Sequence, residues 1–482
     1  MSISEILDKI DGIVWGLPTI FLILFTGLIL NIRLKFLPLR NLGRGLKSIF
    51  RNSDTEHGEV SAFGALCTAL SATIGTGNIV GVATAIASGG PGALLWMWIA
   101  ALLGIATKFT ECMLAVKYRE VADDGHILGG PFYTIEKGLG KKWKWLGVLF
   151  AIFAVCVGLL GIGTMTQING ITSAVNNAFD PNNTNIAFSF AGIDYSWATV
   201  ISGALVTIFA ALVIIGGLKR ISKVAQVIVP FMAIVYVFLG LSVLLMNATK
   251  IPEAFAVIFK NAFGFKAFAG GALGFTLKTM TDAMQKGVAR GIFSNEAGLG
   301  SAAIAASSAQ TQEPVAQGLV SMTGTFIDTI IVCSMTGLAI VIAFYTGDAA
   351  GIGELKGVAI TSAAFSRVLG GDGTSVQFLL MICLVFFAFT TILGWDYYSE
   401  RSLEYLTGGK MGIVKVYRII YILVVAIGPY MTVSAVWTIA DITNGLMAIP
   451  NCISLIALSG VAAKVTEDYF KKYPTLESET SK

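Results

Sequence analysis

Leu70-Ser-Ala-Thr-Ile-Gly-Thr-Gly-Asn-Ile-Val-Gly-Val82 lies inside an apolar segment, 60–87, long enough to cross a bilayer. A segment in lipid is expected to stay an unbroken helix, because hydrocarbon offers no partner for a free N–H or C=O. Gly75 and Gly77, with Thr76 and Asn78 beside them, are what a helix would use to break. A break at that depth is tolerated only where it lines a cavity or is buried in protein. It exposes N–H groups for a carboxylate and carbonyls for a cation, as in secondary transporters with discontinuous helices. The competing reading is helix packing, since Gly77 and Gly81 also form a GxxxG face. A dinucleotide loop is excluded, because neither the GxGxxG spacing nor a preceding strand is present.

The rest of the chain supports a membrane protein. It has 482 residues, a mean hydropathy of +0.77 and 13% charged residues, against about 25% in soluble domains. Six cysteines fall in apolar runs without CxxC spacing and read as packed free thiols. Both histidines, His57 and His126, fall in polar loops, so no intramembrane histidine is expected as a proton relay. Residues 1–14 are acidic rather than basic, so the first apolar run reads as a retained helix, not a cleaved signal.

Eleven spans are expected, at 15–33, 60–87, 91–117, 145–168, 196–216, 222–246, 268–290, 318–345, 376–398, 417–431 and 435–462. With the N-terminus outside, 25 of the 33 Lys and Arg fall in cytoplasmic segments. The charge bias therefore predicts N-terminus outside and C-terminus cytoplasmic, in a plasma membrane. Lys250, Lys260 and Lys266 oppose it and suggest an amphipathic surface helix.

Without the first span, ten remain. Five plus five inverts the second half, giving expected units 1–59, 60–246, 268–462 and a tail 463–482. The span 268–290 would open the second half and is also interrupted, by Gly270-Gly-Ala-Leu-Gly274 and then Phe275 to Thr281. Interrupted segments at matching positions of two halves point to a binding site.

Gly89-Gly-Pro-Gly-Ala-Leu-Leu-Trp-Met-Trp-Ile-Ala-Ala-Leu-Leu-Gly104 resembles the signature of the alanine or glycine:cation symporter family, with Leu95 where that pattern usually has phenylalanine. Ala72 to Asn78, Arg290-Gly-Ile-Phe-Ser-Asn-Glu-Ala-Gly-Leu-Gly300, and Gly394-Trp395 followed by Tyr397-Tyr398 are similar to it too. The resemblance covers about residues 10 to 465. It implies a sodium-driven carrier of alanine or glycine: an all-α polytopic protein, one N-terminal helix plus a 5+5 inverted repeat as in the leucine transporter, each repeat opening on a broken helix.

The candidate substrate residues are Gly75, Thr76, Gly77 and Asn78 at the break, and Gln167 in Gly161-Ile-Gly-Thr-Met-Thr-Gln167. Phe275 and Trp395 are candidate walls. Gln167 reads equally as an interhelical hydrogen bond, and either aromatic as plain core. Thr390 and Thr391 follow Phe387 with hydroxyls suited to sodium, though a membrane threonine more often bonds its own i−4 carbonyl. The resemblance sets the carbonyls of Ser71, Ile74 and Phe387 around the same ion. Na+ is thus the coupling ion, and no organic cofactor or nucleic-acid partner is expected. The oligomeric state stays open.

Lys108 and Glu111 read as a structural pair near the cytoplasmic end. Asp328 reads as a cation ligand or gate, or as the buried partner of Lys278 or another donor. Asp282 and Asp396 fall near inner span ends. Ser294-Asn295-Glu296 reads as a cytoplasmic gate or turn. Proton coupling through Asp328 and an ion channel are the rivals. A membrane enzyme is disfavoured by the lack of HExxH, nucleophile-elbow or metal-ligand patterns.

Overall fold

The computed structural model describes residues 3–50, 58–122, 125–190, 192–263, 273–347, 351–370, 374–431 and 433–476, with backbone alone at 3–4, 273–279 and 433–435. These residues are almost entirely helical, with two short antiparallel hairpins, Glu120–Val121 with Ile127–Leu128 and Ile186–Phe190 with Ile193–Ser196.

The helices are α1 (Ile3–Val14), α2 (Leu17–Arg33), α3 (Ala62–Thr73), α4 (Gly77–Gly89), α5 (Ala93–Lys117), α6 (Lys144–Leu160) and α7 (Met165–Phe179). They continue with α8 (Trp197–Ile214), α9 (Gly217–Met246), α10 (Ile251–Ala262), α11 (Leu273–Asn295), α12 (Ser301–Ser307) and α13 (Pro314–Tyr345). The last five are α14 (Val358–Leu369), α15 (Thr374–Thr407), α16 (Met411–Ile427), α17 (Val433–Ala457) and α18 (Ser459–Lys472). Among the described residues nine helical stretches are long and apolar enough to cross a membrane, and α3 with α4 form a tenth, bent by 48°.

Local chemistry sets the ends. Ser61 caps α3 by accepting the Gly64 N–H at 3.0 Å, and Ser196 caps α8 by accepting the Thr199 N–H at 3.2 Å. α3 stops at Ile74, whose ψ of 96° is extended. α10 is amphipathic: it buries Ala254, Ile258 and Ala262 and exposes Phe255 and Phe259. This is the surface helix expected around Lys250 and Lys260; Lys266 lies outside the described residues. The six cysteines are free, as expected, and all but Cys156 are buried.

Two expected spans need correction. The fourth does not end at 168: α6 and α7 form one stretch to Phe179, interrupted at 161–164. The polar run from Thr164 to Asn177 hides this continuation from a hydropathy reading.

The seventh is displaced further. α11 runs past 290 to Asn295, and the chain breaks at Glu296–Gly300 before α12. Glu296, Gly298 and Gly300 take φ of 56°, 93° and 81°. Such angles suit glycine and are strained for Glu296. Of the expected interruption, 270–272 fall outside the described residues, while 273–281 are helical.

Lys286 and Arg290 therefore leave the segment counted as cytoplasmic. A Cβ on Gly89, at the end of α4, would lie 3.0 Å from Lys286 Cβ and 3.2 Å from the Asp282 carbonyl. Asp282 thus lies beside the end of α4, at the end of the bundle where α1 lies. Ser294-Asn295-Glu296, read as a cytoplasmic gate or turn, is wholly buried.

Candidate functional site

The site forms where three irregular backbones meet. The first break carries Gly75 and Thr76 between α3 and the π turn Gly77–Gly81 that starts α4. The second is Glu296–Gly300. The third is a π turn in α13, Phe326–Cys333. Wider turns of this kind appear mostly at functional sites. The widened turn of α4 offers carbonyls sideways: Thr336 Oγ1 donates to the Asn78 carbonyl at 2.7 Å, and Thr361 Oγ1 to the Ile79 carbonyl at 2.9 Å.

At the first break the freed N–H groups already have protein acceptors. Gly75 N–H donates to Asn78 Oδ1 at 2.9 Å, and Thr76 N–H to Gln167 Oε1 at 3.0 Å. Gln167 Nε2 donates to the Ile162 carbonyl at 2.8 Å, so the amide bridges α7 to both the break and the α6–α7 interruption. Thr76 Oγ1 is buried without a partner among the described residues.

Gly75 is packed to the limit. A Cβ there would sit 2.5 Å from Thr391 Oγ1 and 2.9 Å from Gln167 Oε1. Gly77 is less tight, with Ser294 Cα at 3.2 Å and Phe293 Cδ1 at 3.3 Å from such an atom. The first break is thus wedged between α15, α7 and the end of α11.

Three of the five expected sodium oxygens, Ile74 O, Phe387 O and Thr391 Oγ1, come together, and Thr390 Oγ1 shares the Phe387 carbonyl. Thr391 Oγ1 donates to the Ile74 carbonyl at 3.2 Å and to the Phe387 carbonyl at 3.0 Å. Thr390 Oγ1 donates to the Phe387 carbonyl at 3.0 Å and the Phe386 carbonyl at 3.0 Å. All are neutral, hard and buried, the donor type that a small alkali cation takes. Ser71 lies one turn before Ile74, its hydroxyl directed at the Thr68 carbonyl at 2.7 Å.

Asp328 projects from the α13 π turn into the same region and joins the first break to the end of α11. It accepts from Asn78 Nδ2 at 2.6 Å, Ser294 Oγ at 2.9 Å and Thr329 Oγ1 at 2.7 Å. Asn295 Nδ2 donates to Thr329 Oγ1 at 2.9 Å. Ser294 and Asn295 are central parts of this region, where the sequence reading expected a cytoplasmic gate or turn. The available signal was a glycine pair, Gly298 and Gly300, beside polar residues, the pattern that marked Gly75 and Gly77.

Trp395 is tied to the second break. Its Nε1 donates to Glu296 Oε1 at 2.8 Å, and Ser301 Oγ donates to Glu296 Oε2 at 2.7 Å. Glu111 holds the same break from α5, accepting the Gly298 N–H at 3.3 Å and Asn451 Nδ2 at 3.1 Å. Lys108 lies 3.7 Å from Glu111, the expected pair, but deep in the core. The side chains of Phe275 and Lys278 lie outside the described residues.

Contacts brace the helices at both ends. Toward the α1 end, Arg290 makes a bidentate pair with Asp441 at 2.7 and 2.6 Å and lies over the Phe293 and Trp437 rings. Toward the α18 end, the strand-like bridge Val60–Ala309 ties the entry of α3 to the exit of α12. Arg401 adds ion pairs with Glu59 at 3.2 Å and Glu404 at 2.8 Å.

The sodium:alanine symporter family model matches residues 1–482. The chain is 50% identical to a Haemophilus influenzae protein described as an uncharacterized transporter, over 98% of this chain and 97% of that one. It is 45% identical to the sodium/alanine symporter AgcS of Methanococcus maripaludis, over 97% and 98% respectively. Its fold is similar to that of MhsT, solved with L-phenylalanine, at a TM-score of 0.56 and 14% identity, covering 85% of this chain and 99% of that one.

Proposed function

The chain belongs to the sodium:alanine symporter family, whose members are membrane transporters and not enzymes, and we propose on that premise that it moves alanine or glycine into the cell together with Na+ by alternating access. The fold is that of the leucine-transporter class. Within it we read α3–α9 and α11–α17 as two inverted five-helix halves, each opening on a broken helix. The α1 end faces outside and the α18 end the cytoplasm of a plasma membrane.

The observation that carries this reading is the Thr391 hydroxyl against the Ile74 carbonyl, 3.2 Å apart across two helices. Ile74 is where α3 stops being helical, so its carbonyl is free to serve a ligand. Ile74 O, Phe387 O, Thr390 Oγ1 and Thr391 Oγ1 hold Na+ as cargo, rotating both hydroxyl protons away from it. The ion then bridges α3 to α15 and steadies the first break.

The substrate carboxylate goes to Gly75 and Thr76. In the structure the oxygens of Asn78 and Gln167 sit on those N–H groups, where carboxylate oxygens would replace them at a site already shaped for an acceptor. The tight Gly75 surroundings favour a small side chain. Inward Na+ supplies roughly 2.3 kcal/mol per 100 mV, enough for one ion to drive accumulation of a neutral amino acid. Alternation requires the Arg290–Asp441 pair and the Val60–Ala309 bridge with the Arg401 pairs to open in turn, never together.

Uptake of labelled alanine and glycine into proteoliposomes tests the reading. Uptake is expected only with an inward Na+ gradient, and it should be stimulated by a negative interior. Uptake driven by a proton gradient without Na+ would favour the rival in which Asp328 carries a proton. Current without saturable counterflow would favour a channel.

A further inference from the structure

Asn444 on α17 is wholly buried, and among the described residues neither its Oδ1 nor its Nδ2 meets a hydrogen-bond partner. Buried amides nearly always have partners, so one with both ends open calls for a specific reason. Its place on the helix supplies one. Trp437, seven residues earlier, stacks on Phe293 with centroids 5.1 Å apart. Asn451, seven residues later, donates to the Gly298 carbonyl at 2.9 Å. Seven residues return a helix to nearly the same face, about 10 Å further along. Asn444 is therefore aligned with both, facing the stretch between Phe293 and Gly298.

That stretch borders the first break, since Phe293 Cδ1 and Ser294 Cα are the nearest atoms to a Cβ on Gly77. Asp441, one turn before Asn444, holds Arg290 on the α1 side. Asn444 thus looks into the space between the two breaks, beneath the Arg290–Asp441 pair and the Phe293–Trp437 stack.

A zwitterion in that space needs acceptors for its ammonium. The carboxylates at hand already accept bonds: Asp328 from Asn78, Ser294 and Thr329, and Glu296 from Ser301 and Trp395. Asn444 Oδ1 is an acceptor with no such commitment. We infer that Asn444 is a substrate-binding residue whose Oδ1 accepts a hydrogen bond from the α-ammonium of the transported amino acid. This rests on the proposal of alanine symport and adds the group that reads the amino end.

The test is equilibrium binding of labelled alanine to the purified full-length chain in Na+, beside Na+-dependent thermal stabilisation without alanine. Asn444→Ala and Asn444→Ser are expected to raise the alanine Kd about tenfold or more, the equivalent of 1.4 kcal/mol, and to leave the Na+ response unchanged. Asn444→Asp keeps an oxygen acceptor and is expected to stay within about threefold of wild type, less than the 1.4 kcal/mol step. Either loss variant that folds and binds alanine as wild type does overturns the assignment. So does a parallel fall of alanine affinity and Na+ response, which marks a structural role. Wild-type protein that binds no alanine overturns the symport reading as well, which separates the two failures.

Discussion

Asn78 Nδ2 donates to Asp328 Oδ1 at 2.6 Å, joining the first helix break to the π turn of α13 across 250 residues of chain. The same Asn78 accepts the Gly75 N–H through Oδ1 and has its carbonyl held by Thr336. One side chain thus fixes the shape of the break and its position against the second half. Asp328→Ala strips acceptors from Asn78, Ser294 and Thr329 together. It is expected to lower stability by about 3 kcal/mol or more, because each stranded buried donor costs roughly 1–3 kcal/mol. A thermal melt of the purified variant measures this, and an unchanged melting temperature would contradict the bracing role.

Thr390→Ala and Thr391→Ala each remove one oxygen from the proposed cation site. Each should raise the Na+ concentration for half-maximal alanine uptake about tenfold, through loss of roughly 1.5–3 kcal/mol of charge-assisted contact. Unaltered Na+ dependence in both variants would remove the site from consideration.

Gly75→Ala is expected to be more damaging than its size suggests. The added Cβ would lie 2.5 Å from Thr391 Oγ1 and 2.9 Å from Gln167 Oε1, so it disturbs the cation oxygens and the substrate donors at once. Alanine and Na+ affinities should both fall about tenfold or more, since overpacking a tight core costs roughly 1–3 kcal/mol. Gly77→Leu has Phe293 and Ser294 in its way and should abolish alanine binding in protein that still inserts. Normal affinity in a destabilised Gly77→Leu protein would mean that Gly77 serves packing alone.

Trp395→Phe separates two roles for Trp395. Its indole donates to Glu296 at the second break, so the variant should lose about 1–3 kcal/mol of stability by stranding that carboxylate oxygen. Leucine should stay excluded. Efficient leucine uptake with an unchanged melting temperature would instead make Trp395 a wall of the pocket.

Arg401→Gln removes the cation that faces Glu59 and Glu404. It should favour the state open to the α18 end, seen as faster labelling of a single cysteine placed at Ser71. Labelling no faster than in the same cysteine variant with Arg401 intact would remove Arg401 from the closure.

The membrane class and most spans could be read from composition and apolar runs, and the first break from residues 60–87, because lipid penalises an unpaired backbone and Gly75 and Gly77 relieve that penalty locally. The Thr390–Thr391 pair was legible too, once a resemblance supplied the opposite helix. The second break was not. Hydropathy treats Ser294, Asn295 and Glu296 as an exit from the membrane, since it weighs each side chain as if it faced solvent or lipid. Their burial depends on partners 34 to 99 residues away, Thr329, Asp328 and Trp395, that no local window contains. The sequence by itself therefore determined that the chain crosses the membrane and where it first bends. Which polar residues lie at the centre was decided only by tertiary pairing, because a buried polar group is stable only when a distant segment completes its hydrogen bonds.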